Sequence, residues 1–261
     1  MKLSETQLEQ LKSDLIRWMQ ERLQAIGAKN AVVGISGGKD SATVAALCVA
    51  AYGREHVYGV LMPDGAQSDI EYAQELCEAL EIPHETLNIS GMTTAFYNVL
   101  SECSFFDEVS RQTRLNLPPR VRMTLLYAVA QSLDAVVVNT SNLSEDWVGY
   151  ATMYGDTAGA FSPLAMLTTD EVIQLGRALG LPERLVVKPP SDGLTGKTDE
   201  DVLGFTYETL NTYIRTGEVP ESLRARIDSL HRGSRFKFQG IAMFNPGFPI
   251  VAEDIAHVYK K

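Results

Sequence analysis

A chain of 261 residues holds one large domain or two small ones, and it can bury about three quarters of its unfolded surface without disulfides or a structural metal. With 33 acidic against 23 basic residues its formal charge is −10, which argues against general nucleic-acid or anionic-membrane binding. Cys48, Cys77 and Cys103 lack CxxC spacing, so free thiols in a reducing cytoplasm are expected rather than a disulfide framework or a cysteine-type zinc site.

In chain order, Leu8, Leu11, Leu15, Ile16, Met19, Leu23 and Ile26 recur at helical spacing, with Gly27 as the stop. Residues 31–36 form a β-branched run read as a buried strand, and a small-residue helix follows over 41–51. A second strand is predicted at 57–62, then a helix over 69–80 with Ser68 as N-cap. A third strand at 86–89 and a helix at 92–103 come next. Pro118 and Pro119 open a long helix to Leu133, and a fourth strand occupies 135–139. A fifth strand is expected at 164–167 and a helix at 169–179, then helices at 199–214 and 220–231 and an irregular stretch over 233–250. Strands alternating with helices predict an α/β fold, a doubly wound parallel five-stranded sheet with helices on both faces, in a single domain over residues 1–261. No run reaches ~18 apolar residues, so no membrane span is expected. The acid-bearing N-terminus does not read as a signal peptide.

Ligands of such sheets bind beyond the carboxyl ends of the strands, at the topological switch point. Ser36-Gly37-Gly38-Lys39-Asp40-Ser41 lies between a strand and a helix there. The glycines let backbone approach an anion, and the following helix offers free N–H groups and a positive dipole end. The bland alternative is a tight turn with Asp40 or Ser41 as N-cap. It is not a Walker A loop, because Asp40 follows Lys39. After the fourth strand comes Asn139-Thr140-Ser141-Asn142-Leu143-Ser144-Glu145. With the first strand central and the fourth beside it, Asp40 and Glu145 would share one Mg²⁺. Alternatively this is a polar loop in which Asn142 or Ser144 caps a turn.

The stretch from Gly34 to Ser41 resembles the pyrophosphate loop of the N-type ATP pyrophosphatases, which activate substrates as adenylates. Residues 135–156 (AVVVNTSNLSEDWVGYATMYGD), 120–127 (RVRMTLLY), 188–194 (KPPSDGL) and 198–207 (TDEDVLGFTY) resemble the ammonia-dependent NAD⁺ synthetases. The resemblance implies an adenine nucleotide alpha hydrolase-like fold and a two-step reaction. ATP adenylylates the nicotinate carboxylate of deamido-NAD⁺, and ammonia displaces AMP. It implies Asp40 and Glu145 as the catalytic pair and Mg²⁺ ligands. It implies ATP contacts from Gly34, Ile35, Ser36, Gly37, Gly38, Lys39, Asp40, Ser41, Thr140 and Ser191. Substrate contacts are assigned to Arg120, Tyr154, Asp156, Lys188 and Lys237. Arg120, read as lying near a helix start, would need an anion to answer its charge. A homodimer is implied, and no glutaminase domain is expected in 261 residues.

The match departs at Met153, Ala160 and Thr169, where relatives keep a lysine, an aspartate and a lysine, and at Phe236 within Ser234-Arg235-Phe236-Lys237-Phe238. Subfamily drift and a changed carboxylate substrate both fit these departures. Two other readings stay open. A tRNA-modifying ATP pyrophosphatase would carry a basic face, against the net charge here. A nucleotide-binding paralogue would lack synthetase activity.

Overall fold

The computed structural model describes residues 1–67, 69–187 and 199–253. Helix α1 (Glu5–Ile26) starts on a capping box between Ser4 and Gln7 and stops at Gly27, which takes the left-handed conformation. Strand β1 (Asn30–Gly34) leads through the glycine loop into α2 (Lys39–Tyr52). Strand β2 (Val57–Leu61), α3 (Ile70–Ala79) and β3 (His84–Thr86) follow, then α4 (Ser90–Ser101) and α5 (Arg111–Ser132). Strand β4 (Ala135–Val137) precedes α6 (Leu143–Val148), α7 (Thr169–Ala178) and α8 (Glu183–Val186). The chain then forms α9 (Asp199–Leu203), α10 (Tyr207–Thr216), α11 (Glu221–Ser234) and a 3-10 turn, Arg235–Phe238.

The sheet is parallel with strand order β3-β2-β1-β4. Side chains of β1 alternate between its faces. Ala31 and Val33 pack into a core built with α1, α2, α3 and α7, and Val32 packs into a second core with Val121, Leu126 and Ala130 of α5. A third cluster joins Val148 of α6 to Leu203, Leu210 and Ile227 of α9, α10 and α11. No helix among the described residues is long and apolar enough to cross a membrane.

Several expectations are corrected. The sheet has four strands among the described residues, not five. Residues 164–167 close a turn (Leu167 N to Leu164 O, 2.9 Å) whose Leu167 carbonyl accepts from Leu143 N. Just before them, an isolated parallel bridge joins Val138 to Phe161, with bonds from Ala160 N to Val137 O (2.8 Å) and from Asn139 N to Phe161 O (3.0 Å). Strand β3 lies two residues earlier than expected, on exposed polar residues with no apolar signal to mark it. Helix α5 begins at Arg111, capped by Ser110, so Pro118 and Pro119 fall inside it and not at its first turn. The predicted 199–214 helix is split, with Gly204 at φ +79° in the break. Ser68, Lys188 and Ser191 lie outside the described residues.

Candidate active site

Strands β1 and β4 are neighbours, while β2 and β3 extend the sheet on the other side of β1. The chain therefore reverses direction across the sheet between β1 and β4, and both sequence motifs border that gap.

At the first motif, Gly37 has φ +77°, and a Cβ there would stand 3.1 Å from Ala73 N, so glycine is required for both conformation and space. Gly38 is the N-cap residue of α2 and has no side chain to cap it. The hydroxyls of Ser36 and Ser41 lie 3.1 Å apart, and Ser41 Oγ donates to Gly38 O. These bonds pre-shape a nest of N–H groups at the helix N-terminus, the arrangement that binds phosphate. Gly34 and Ile35 have a different place. Ile35 is buried in the core and bonds Val60 O, and a Cβ on Gly34 would press Met62 at 3.2 Å. Their surroundings are those of packing residues.

Lys39 is buried, and its Nζ lies 2.8 Å from Asp40 Oδ2 and 3.9 Å from Glu145 Oε1. An ammonium thus sits between the two carboxylates expected to share a cation. Among the described residues no group of three or more His, Cys, Asp or Glu converges. Two carboxylates on one positive centre fit a hard divalent cation whose remaining ligands are phosphate and water oxygens. Asn142, fully buried, ties the motifs together. Its Nδ2 donates to Asp40 Oδ1 at 3.0 Å, and its Oδ1 caps α6 by accepting from Glu145 N at 3.1 Å. Sequence reading had Asn142 only as a possible cap. Its short side chain before an acidic first turn marks the cap, but nothing local marks the bond across the sheet. Thr140 is half-buried in the same β4–α6 connection.

The loop after α6 is held from within. Asn139 Nδ2 donates to the carbonyls of Asp156 (2.7 Å) and Ala158 (3.0 Å), and Asp156 Oδ1 accepts from Thr152 N at 2.7 Å. Asp156 has an exposed edge, yet the protein around it desolvates its carboxyl enough to raise its pKa, against the Thr152 bonds and the Lys237 charge. Burial and the nearby Asp156 push Asp146 up to about 7, with Arg235 opposing. Tyr154 is exposed at φ +63°, an uncommon conformation for a bulky residue, and its N–H bonds Thr157 Oγ1.

Arg120 lies in the middle of α5, not near its start, so the argument for an answering anion falls. Its Nε donates to Met153 O at 3.1 Å. Arg122 is the more buried cation. Its Nε bonds Met62 O, and Asp64 and Asp156 favour its charge against desolvation. Lys237 Nζ donates to Gly149 O (2.9 Å) and Ala151 O (2.8 Å). Thr169 is buried at the start of α7, where its N bonds Ser144 Oγ. Trp147 stacks on His231 at 3.9 Å, as a packing pair.

A parallel sheet in this order, with a glycine loop feeding a helix at the switch point and an acidic pair beside it, defines an adenine nucleotide alpha hydrolase-like protein with a pyrophosphate loop. The family described as NAD synthase matches residues 11–240, and the chain belongs to that family. It is 40% identical to the NH(3)-dependent NAD(+) synthetase of Thermococcus kodakarensis over 74% of this chain and 75% of that protein. A solved structure of NMN synthetase from Francisella tularensis is 31% identical, with a TM-score of 0.84 over 95% of this chain and 100% of that one. The NH3-dependent NAD synthetase from Campylobacter jejuni is 28% identical, with a TM-score of 0.74 over 91% of this chain and 99% of that one.

Proposed function

We propose that the protein is an ammonia-dependent, ATP-using C–N ligase that converts deamido-NAD⁺ to NAD⁺, releasing AMP and pyrophosphate. The observation that carries this reading is the Lys39–Asp40–Asn142–Glu145 cluster at the switch point, in a member of the NAD synthase family.

A carboxylate is a poor electrophile, and adenylylation gives it AMP as a leaving group. The chain's task is to align the nicotinate carboxylate with the α-phosphate and neutralise charge on the departing pyrophosphate. The N–H groups around Gly37 and Gly38, with Ser36, Ser41 and Lys39, bind the phosphates. Thr140 borders the same site. Asp40 and Glu145 hold Mg²⁺, which supplies charge neutralisation on phosphate oxygens. Tyr154 and Asp156 lie on the loop that meets the nicotinate, with Arg120 behind it. Lys188 and Ser191 keep the roles that the resemblance implies.

The active species is a cytoplasmic homodimer that binds no nucleic acid or membrane. The free thiols of Cys48 and Cys77 and the net charge of −10 support that setting. Phe96, Val99 and Phe105, on α4 and the connection to α5, are exposed apolar side chains that suit a partner copy.

A second reading has its own support. The Francisella match carries the name NMN synthetase, and the departures at Met153 and Ala160 fall where the resemblance puts substrate contacts. A nicotinate mononucleotide would then be the carboxylate substrate. Purified protein given ATP, Mg²⁺, ammonium and either carboxylate separates the two by kcat/KM. NAD⁺ formed with equimolar AMP, and lost in Asp40→Asn, is the expected result. Amide from the mononucleotide alone would replace the first reading with the second, and amide from neither would sink both.

A further inference from the structure

The 3-10 turn after α11 places two cations against backbone carbonyls of the last turn of α6 and of the loop that follows it. Lys237 Nζ donates to Gly149 O and Ala151 O. Arg235 donates to Asp146 O and Trp147 O, and its guanidinium lies 4.9 Å over the Phe238 ring. His231 Nδ1 is 2.9 Å from Trp147 O. Four carbonyls between Asp146 and Ala151 thus answer to one segment of chain, at the C-terminal end of α6, where cations are favoured. The packing there is close. Gly149 has φ +71°, and a Cβ on it would overlap Ser234 Cβ at 2.1 Å. On the other side α5 grips the same loop, with Arg120 on Met153 O and Asn116 Oδ1 accepting from Thr152 Oγ1 at 3.0 Å.

This loop follows the short helix that carries Glu145 and runs to Asp156. We infer that Lys237 and Arg235 are positioning residues: they clamp the loop so that the Glu145 and Asp156 carboxylates are held at a fixed separation for the reaction. The inference rests on the ligase reading and reassigns Lys237. Its ammonium is engaged by two carbonyls, which leaves less of it for a substrate anion, and its neighbours in sequence, Phe236 and Phe238, are apolar.

Lys237→Met and Lys237→Arg test it. Steady-state rates and hydrogen exchange of the amides over 149–157 are read on the same preparations. Lys237→Met is expected to lower kcat roughly 10- to 100-fold, with KM for ATP and for the carboxylate substrate held within about twofold. Exchange over 149–157 should rise about tenfold or more, and Lys237→Arg should recover most of both losses. A raised KM for the carboxylate substrate with kcat and loop exchange unchanged would make Lys237 a substrate contact and overturn the clamp. Unchanged kinetics and exchange would overturn it too. If the wild-type chain makes no amide from either nicotinate substrate, the ligase reading falls by itself. Loop exchange still decides the clamp: faster exchange in Lys237→Met supports it and unchanged exchange defeats it. Arg235→Met probes the same contact from its other residue if Lys237→Met does not fold.

Discussion

Asn142 carries two jobs on one amide group. It caps α6, and it holds Asp40 in place across the gap between β1 and β4. Removing it leaves Glu145 N uncapped and Asp40 without a neutral donor. Asn142→Ala should therefore cost about 1–2 kcal/mol of stability by thermal melting and lower kcat at least roughly tenfold. A normal rate in a folded Asn142→Ala would show that Asp40 needs no such support. That Asp40 and Glu145 would lie close together was legible in the sequence, because the loops that follow neighbouring parallel strands meet at the switch point. Asn142 was half-legible, since capping is a local pattern and a bond between distant segments is not. Gly34 and Ile35 show a related effect. A motif read as a string extends into the strand that carries it, and there side chains face the core. Arg120 drew its argument from a helix start that Ser110, not Pro118, sets.

Between elements, the link from α10 to α7 is ionic and buried. Glu171 is 2% exposed and accepts from Arg215 Nε at 2.8 Å and Nη2 at 2.5 Å, while Thr168 N donates at 2.9 Å. Burial alone would raise the Glu171 pKa, but these partners reverse the sign and lower it. A lowered carboxyl stabilises the fold above its unfolded value, near ~4.3, and that contribution fades as pH falls through the folded value. Arg215→Met leaves Glu171 buried with two of its three hydrogen bonds gone, and should cost about 3–5 kcal/mol at pH 7. Melting curves should show the gap to wild type narrowing below about pH 4. A constant gap from pH 7 to pH 3 would mean that packing, not the charge pair, joins α10 to α7. The pairing of Glu171 with Arg215 has no trace in a linear reading, because the two lie on different helices. The alternation of helix and strand was legible since apolar period and glycine stops are local. The fifth strand failed because four apolar residues fit a turn anchored by one buried leucine, Leu164, as well as a strand.

At the scale of the whole molecule, the exposed apolar side chains of α4 and its exit predict the assembly. A homodimer interface of the two-fold kind doubles every change made in it. Phe96→Glu together with Val99→Glu should convert dimer to monomer in sedimentation, with amide formation falling alongside. A dimer that survives both changes would move the interface elsewhere. The parallel sheet and its strand order were legible as a class, because strands that alternate with helices have few other ways to bury both faces. The third cluster, around α9, α10 and α11, was not legible as a separate body. Its helices carry the same apolar period as any other.

The bond between Asp40 and Asn142 joins positions 102 residues apart. Everything between them, three strands with α3, α4, α5 and most of α2, has to find its place before that bond can close. Closing so wide a loop costs chain entropy that no nearby contact returns early, and distant pairings of this kind form late. Asp40 and Glu145 are thus expected to come together late in folding, once β1 and β4, the first and last strands of the sheet, have met.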